Sequence, residues 1–101
     1  PMIQRPTPDI PQSPCGEPTT QGQLLYPKKA LQNGVTGWVV VEFDLEPEGV
    51  PVNAHVVDSS PKGVFEQSAL DSLVMSSFGP SEAMREQCQK LYVFSVGRWD
   101  Q

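Results

Sequence analysis

The sequence has few basic residues, one histidine and two cysteines. Seven Lys and Arg residues stand against twelve Asp and Glu residues, which gives the 101-residue chain a net charge of −5. This balance disfavours a nucleic-acid-binding protein and a basic membrane-surface helix, because both need clustered cationic side chains. One His and two widely separated Cys residues are too few for a four-ligand zinc site. We therefore expect no nucleic-acid partner, no metal ion and no cofactor.

Long apolar runs are also missing from the sequence. No segment approaches the roughly 18 consecutive apolar residues of a membrane-spanning helix, and no signal peptide is visible. The Pro1-Met2 start is typical of a terminus left by cleavage. We therefore expect that any membrane anchor of the full-length protein lies outside these residues.

Proline is the residue in excess, and it is concentrated at the start of the chain. Six of the eleven prolines lie within the first eighteen residues. Proline fixes φ and lacks a backbone donor, so neither a helix nor a central strand can pass through this region. We predict an extended, polyproline-like arm over residues 1–22 and a folded domain over residues 23–101. The alternative for the arm is a proline-rich ligand for another domain.

Beyond the arm, the sequence alternates between helical and strand patterns. Helices are predicted over residues 28–33 and 64–77, and strands over residues 38–45, 52–58 and 90–96. A turn containing Pro and Gly joins the first two strands, so these strands should form an antiparallel hairpin.

The order helix-strand-strand-helix-strand predicts an α+β fold. Its simplest form is a three-stranded antiparallel sheet with two helices packed on one face. Residues 81–87 are predicted to be a connection into the last strand. Such a sheet has two edges, and an exposed edge is a template for a strand from another chain. The side chains predicted to face the core along the first strand are Val39, Val41, Phe43 and Leu45.

An ordered set of aromatic, glycine, proline and apolar residues runs from residue 26 to residue 80. It consists of Tyr26, Pro27, Ala30, Gly34, Gly37, Val39, Val41, Phe43, Gly49, Asn53, Ser60, Pro61, Phe65, Glu66, Ala69, Phe78, Gly79 and Pro80. In order and spacing, this set resembles the C-terminal domain of the TonB family, without gaps over that range. Residues 81–97 resemble the family more loosely.

The resemblance implies a periplasmic binding and force-transmission domain of an energy transducer in a Gram-negative bacterium. Relatives are anchored in the inner membrane by an N-terminal helix, carry a Pro-rich linker, and work with the ExbB–ExbD proton-driven motor. They capture the TonB box, a short segment of outer-membrane transporters for siderophores or cobalamin, which adds as a strand beside the last strand. By this resemblance the chain is not an enzyme. The exposed sheet edges leave both a monomer and a strand-exchanged dimer open.

The resemblance also implies where the partner binds. The candidates lie in the last strand and around the Tyr-Pro pair. They are Lys90, Leu91, Tyr92, Val93 and Phe94, together with Gln23, Leu25, Tyr26 and Pro27.

Each candidate has a structural alternative. Tyr92 and Phe94 would alternatively pack against the helices. Tyr26 and Pro27 would alternatively form only the entry of the first helix, and Gln23 would be a solvated arm residue.

The two cysteines lie in the arm and near the last strand. An oxidising periplasm favours a disulfide between them. We hypothesise that Cys15 and Cys88 are paired, which would fasten the arm near the edge where the partner binds. The alternative is two unrelated free thiols.

Other polar and aromatic residues have weaker functional interpretations. His55 is interpreted as a surface imidazole, since no orienting group or oxyanion motif accompanies a possible pair with Cys88. Asp44 and its acidic neighbours at the hairpin turn are interpreted as solvated. Trp38 lies on the strand face opposite Val39, and it either contacts a partner or packs under the arm.

Two function hypotheses follow. The first is the TonB-type transducer domain. The second is a TonB- or TolA-like structural or assembly module that binds a different envelope protein. An N-terminal membrane helix followed by a long Pro-rich linker in the full-length gene would favour the first hypothesis.

Overall fold

The computed structural model describes residues 5–10 and 15–95. The three strands form one antiparallel sheet in the order β2-β1-β3, with both helices on one face. This arrangement confirms the predicted α+β fold and its element order. The elements are α1 (Lys28–Gln32), β1 (Gly37–Leu45), β2 (Pro51–Ser60), α2 (Glu66–Val74) and β3 (Arg85–Phe94).

Strand β1 is the centre of the sheet, and over its first residues its sequence is apolar on both faces. The alternating set predicted to face the core, from Val39 to Leu45, is fully buried against the helices. Trp38 and Val40 point to the opposite face, and they too are buried. A strand that is apolar on both faces is typical of a position with neighbours on either side and a cover over each face.

The hairpin turn between β1 and β2 forms where the Pro and Gly spacing predicts it. The amide of Gly49 donates to the carbonyl of Glu46 at 2.7 Å, and Glu46 donates to Val50 at 3.0 Å. Gly49 has a φ of 92°, and a Cβ at this position would clash with the carbonyl of Phe78. Glycine is therefore required both by the backbone conformation and by the close approach of the loop after α2.

Helix α2 is shorter than the predicted range of 64–77. It ends at Val74, since the backbone of Ser77 pairs instead with the arm, donating to Thr20 at 2.9 Å and accepting from Thr19 at 2.8 Å. Val74, an apolar residue of the predicted helix, is 68% exposed. The buried side of the helix is formed by Ala69, Ser72 and Leu73.

Strand β3 starts earlier than predicted. The connection predicted over residues 81–87 is wrong for its last three residues, because the strand begins at Arg85. The length of β1 explains the difference. This strand continues to Leu45, which pairs with Arg85, so the polar residues before the apolar part of β3 also have a strand to pair with. The Asp44 carboxylate also accepts a hydrogen bond from the amide of Gln87 at 3.0 Å. The strand ends at Phe94 and does not include residue 95, so it stops before the predicted end at residue 96, which itself lies outside the described residues.

The described part of the arm contains no helix or extended strand. A single antiparallel bridge joins Thr20 to Ser77. The next residues lie along α2, where the amide of Gly22 donates to the Ser76 hydroxyl at 2.8 Å and its carbonyl accepts from Ser72 at 2.7 Å. The buried serines Ser72, in α2, and Ser76, just after it, are thus hydrogen-bonded to the arm, which explains their place in an apolar interior.

Candidate functional site

Strand β3 forms one edge of the sheet, since it pairs with β1 alone in the strand order β2-β1-β3. Successive side chains of β3 point to opposite faces of the sheet, and this alternation determines which groups the edge presents to a partner. Tyr92 and Phe94 are each 2% exposed and belong to the core, whereas Val93 on the opposite face is 48% exposed. Any partner at this edge therefore meets the main chain of residues 90–94 together with outward-facing side chains, not the two aromatic rings.

An aromatic cluster fixes the inner side of β3, and we define it as Tyr26, Phe65 and Phe94. The rings of Phe65 and Phe94 are stacked with centroids 4.3 Å apart. Tyr26 meets both rings edge-on, at centroid distances of 5.6 and 5.8 Å. Such edge-on contacts add to the stability gained from burial, so this cluster holds the end of β3 in place.

The Tyr-Pro pair has a clear structural role. The Tyr26 hydroxyl donates to the carbonyl of Val35, and burial raises the pKa of Tyr26. Pro27 precedes the first residue of α1, and its carbonyl accepts from the amide of Leu31 at 2.9 Å. Both residues thus organise the entry to α1. Their predicted part in partner binding is untested and stays a prediction.

Two other candidates lie on the surface before α1. Gln23 is exposed, and Leu25 is 60% exposed. Among the described residues, no hydrogen bond or ion pair joins either side chain to β3. The structure therefore leaves them available, but it does not bring them into direct polar contact with the candidate edge.

Tyr92 contributes to the interior instead of the edge. Burial raises its pKa to about 12, so its hydroxyl is neutral at physiological pH. Lys90 is the polar neighbour on the same strand, and its ammonium lies 5.2 Å from the centre of the Tyr92 ring. The same ammonium is 4.0 Å from the carboxylate of Glu17 in the arm. Lys90 thus lies between β3 and the arm.

Cys15 and Cys88 form a disulfide, as the sequence analysis hypothesises. The two residues are 73 positions apart, with Cα atoms 5.8 Å from each other. Cys88 lies on β3 opposite Phe43 of β1, and both cysteines are buried in the core. The arm is therefore joined covalently to the edge strand.

The first described residues of the arm lie over the opposite face of the sheet. The Arg5 guanidinium donates to both carboxylate oxygens of Asp58, at 3.2 and 2.7 Å. It also lies 5.1 Å from the centre of the Trp38 ring, whose indole N–H donates to the carbonyl of Arg5 at 3.1 Å. Of the two interpretations of Trp38, the structure shows packing under the arm.

These Arg5 contacts are functional candidates that the sequence analysis misses. The side-chain hydrogen bonds from Arg5 are the main reason that the pKa of Asp58 lies below its usual range. The partners are 53 positions apart, and an arginine within a proline-rich arm has the sequence pattern of a solvated residue. No local periodicity or spacing could have identified the pair.

A cleft of about 370 Å³ lies between the arm and β3. Its arm side is formed by Pro8, Asp9, Ile10, Gly16 and Glu17, and its β3 side by the neighbouring residues 89–91. Among the described residues, no backbone hydrogen bond joins 5–10 or 16–18 to β3. These two described segments of the arm thus lie alongside the edge without backbone pairing to it.

Asp44 and His55, near the hairpin, lie close to polar groups of the domain itself. The side-chain amide of Asn53, then the amide of Gln87, hold the pKa of Asp44 below its usual range. His55 is exposed, and its Nδ1 lies 3.2 Å from the carbonyl of Asn53. Cys88 is bonded to Cys15 and is not a free thiol.

Within 5–10 and 15–95, no three His, Cys, Asp or Glu side chains are grouped so that they could hold a metal ion. In the same residues, no helix is both long and apolar enough to cross a membrane.

The structure is a small α+β domain whose last strand forms one edge of the sheet. The chain belongs to the family described as Gram-negative bacterial TonB protein C-terminal, whose model matches residues 22–94. Domains of this family are periplasmic transducer and binding domains, not enzymes. No curated protein matches the chain.

Two solved structures share the fold. The solution structure of the TonB C-terminal domain from Pseudomonas aeruginosa has a TM-score of 0.69 and 23% identity, and the match covers 83% of this chain and 89% of that one. The TonB2 protein from Vibrio anguillarum has a TM-score of 0.67 and 27% identity, and the match covers 97% and 98% of the two chains.

Proposed function

We propose that this chain is the periplasmic binding and force-transmission domain of a TonB-type energy transducer. It captures the TonB box of outer-membrane transporters by strand addition to β3. It couples those transporters to an ExbB–ExbD-type motor in the inner membrane, for uptake of siderophore- or cobalamin-type substrates. Residues 1–22 are the end of the Pro-rich linker, and residues 23–101 are the domain.

The single observation that supports this proposal best is the arrangement of β3. The strand has a partner on one side only, and its aromatic side chains are turned into the core. Main-chain hydrogen bonds along such an edge bind an extended peptide with little dependence on side-chain detail. One domain can then serve several transporters whose boxes share only a loose motif.

The roles of the proposed partner-binding residues divide by position. Residues 90–94 supply the pairing main chain, and the outward side chains of Leu91 and Val93 contact alternate residues of the peptide. Gln23 and Leu25 offer exposed side chains before α1. Tyr26 and Phe94, through the aromatic cluster, keep β3 straight and in register.

An amide NMR titration with TonB-box peptides from transporters of the same organism tests the proposal. We expect chemical-shift changes concentrated at residues 91–94 and around Gln23. A peptide of the same composition in scrambled order is the control. Absence of any shift at millimolar peptide, in the wild type and in a variant with the arm released, would contradict the transducer function. It would favour a module that binds a different envelope protein.

A further inference from the structure

We propose that the arm is an intramolecular competitor for the β3 edge, held by a covalent hinge at Cys15 and a weak ionic latch at Arg5. This inference rests on the proposed function, since the competing ligand is the transporter peptide. We define the latch as the contacts of Arg5 with Asp58 and Trp38. The strap is defined as residues 5–10, which the latch holds in place.

The two anchors lie on different sides of the edge strand. The disulfide joins Cys15 to Cys88 within the helix-side core. The latch lies on the other face of the sheet, over Trp38 and beside Asp58 on β2, the strand farthest from β3. The described residues between these anchors, 5–10, run from the latch to the cleft beside β3.

The strap lines the space beside β3 in which an added strand would lie. A new strand lies about 4.8 Å from its neighbour along the whole paired length. Pro8, Asp9 and Ile10 line the cleft beside residues 89–91, and the preceding arm residues lie beside Val93. A peptide that pairs with the full length of the edge must therefore displace the strap.

The strap covers the edge but cannot become a fourth strand. Pro6 and Pro8 have no amide hydrogen to donate, and proline is poorly tolerated in a paired strand. The described strap residues make no backbone hydrogen bond with β3. A cover of this kind protects the edge from pairing with other chains, and a peptide with free amides can outcompete it.

The anchors differ greatly in strength. The disulfide persists in an oxidising compartment. The Arg5–Asp58 ion pair is exposed, with half of the arginine side chain accessible, and exposed pairs are weak and weakened further by salt. The strap therefore opens by release of Arg5 while Cys15 stays bound, and the open state is the one that accepts the peptide.

The expected effect on affinity follows from the population of the open state. The apparent dissociation constant is the intrinsic one divided by the open fraction. Loss of an exposed ion pair and a cation–π contact should shift this fraction by about three- to tenfold. Arg5→Gln should bind the TonB-box peptide tighter by that factor.

Lys62→Gln is the matched control. The Lys62 ammonium also faces Asp58, at 3.5 Å, but Lys62 belongs to the loop after β2 and not to the arm. Both variants remove one positive charge beside the same carboxylate. Only Arg5→Gln weakens the latch, so Lys62→Gln should bind the peptide as the wild type does.

The experiment measures two quantities on the oxidised protein and both variants. The first is contact between Ile10 and Leu91, observed by nuclear Overhauser effects, together with the Trp38 indole N–H signal. The second is the dissociation constant of the peptide. We expect the contact in the wild type and Lys62→Gln, and its loss with tighter binding in Arg5→Gln.

Three results would overturn the proposal. The first is absence of the Ile10–Leu91 contact in the wild type. The second is persistence of this contact in both Arg5→Gln and the charge-reversed Arg5→Glu. The third is loss of the contact in Arg5→Gln while the peptide binds no more tightly than to the wild type. If no variant binds peptide, the proposed function fails. The contact measurement alone then decides whether Arg5 holds the arm over the edge.

Discussion

Cys15 and Cys88 are joined although 73 positions separate them, and this bond links the proline-rich arm to the strand that forms the sheet edge. On the neighbouring strand β1, Phe43 lies opposite Cys88 in the β1–β3 ladder. The arm is therefore fastened directly to β3 at residue 15, in addition to the main chain that leads into α1.

Reduction of the disulfide should lower the free energy of unfolding by about 4 kcal/mol. The expected cause is the gain in chain entropy when a loop of this length is released in the unfolded state. Denaturant unfolding of the oxidised and reduced protein measures the difference. The double variant Cys15→Ala/Cys88→Ala should show no response to reductant. Free thiol at both positions in the unreduced protein would contradict the pairing.

Gly22→Ala should destabilise the domain by about 1–3 kcal/mol, the usual cost of overpacking. A Cβ at Gly22 would clash with the backbone carbonyl of Ser72, and it would press on Met75 at 3.0 Å. Gly79→Ala is the control, because its Cβ would meet only Thr19, at 4.0 Å. Thermal unfolding of both variants measures the effect. Equal losses would show that α2 does not hold the arm so closely.

Tyr26→Phe and Tyr26→Ala separate the two contributions of this side chain. The first removes only the hydrogen bond to Val35 and should cost about 1 kcal/mol. The second also removes the edge-on contacts with Phe65 and Phe94 and should cost about 3–5 kcal/mol. Denaturant unfolding measures both. A Tyr26→Phe variant of wild-type stability with impaired peptide binding would instead assign the hydroxyl to the partner.

Glu66 should make the domain less stable in acid. Burial acts to raise its pKa, but the Gly63 amide at 2.8 Å and the Ser59 hydroxyl at 2.7 Å outweigh it, so the pKa is lowered. Because the folded pKa lies below the unfolded one, this stabilisation is present above about pH 4.3 and is lost as the pH falls through the folded pKa.

The matched variant for this effect is Glu66→Gln. Its unfolding free energy should fall less steeply than that of the wild type between about pH 5 and pH 3. Denaturant unfolding across this range gives the comparison. Parallel curves for the two proteins would show that the Glu66 carboxylate is not stabilised by Ser59 and Gly63.

The residues that could be predicted from the sequence are those whose neighbours are local. The alternation from Val39 to Leu45 predicts the buried face of β1, because side chains in a strand point to opposite faces in turn. The early start of β3 at Arg85 could not be predicted, since residues 85–87 are not strand formers. Their pairing depends on β1, a distant part of the chain.

The two parts of the candidate site differ in the same way, because one depends on local sequence and the other on distant contacts. The edge at residues 90–94 follows from an apolar, aromatic segment and the element order. The Arg5–Asp58 contact and the Ser72–Gly22 hydrogen bond depend on where an irregular arm returns to the fold. Contacts of this kind are made by tertiary placement and leave no periodic pattern.

Strand addition to β3 is tested most directly by N-methylating the TonB-box peptide one residue at a time. The measurement is the dissociation constant of each peptide for the oxidised Arg5→Gln variant. Only alternate amides of a paired strand point to the neighbouring strand, so methylation at every second position should weaken binding by about ten- to a hundredfold. Intervening positions should leave the affinity unchanged. A uniform effect at all positions, or none, would contradict binding of the peptide along the edge of β3.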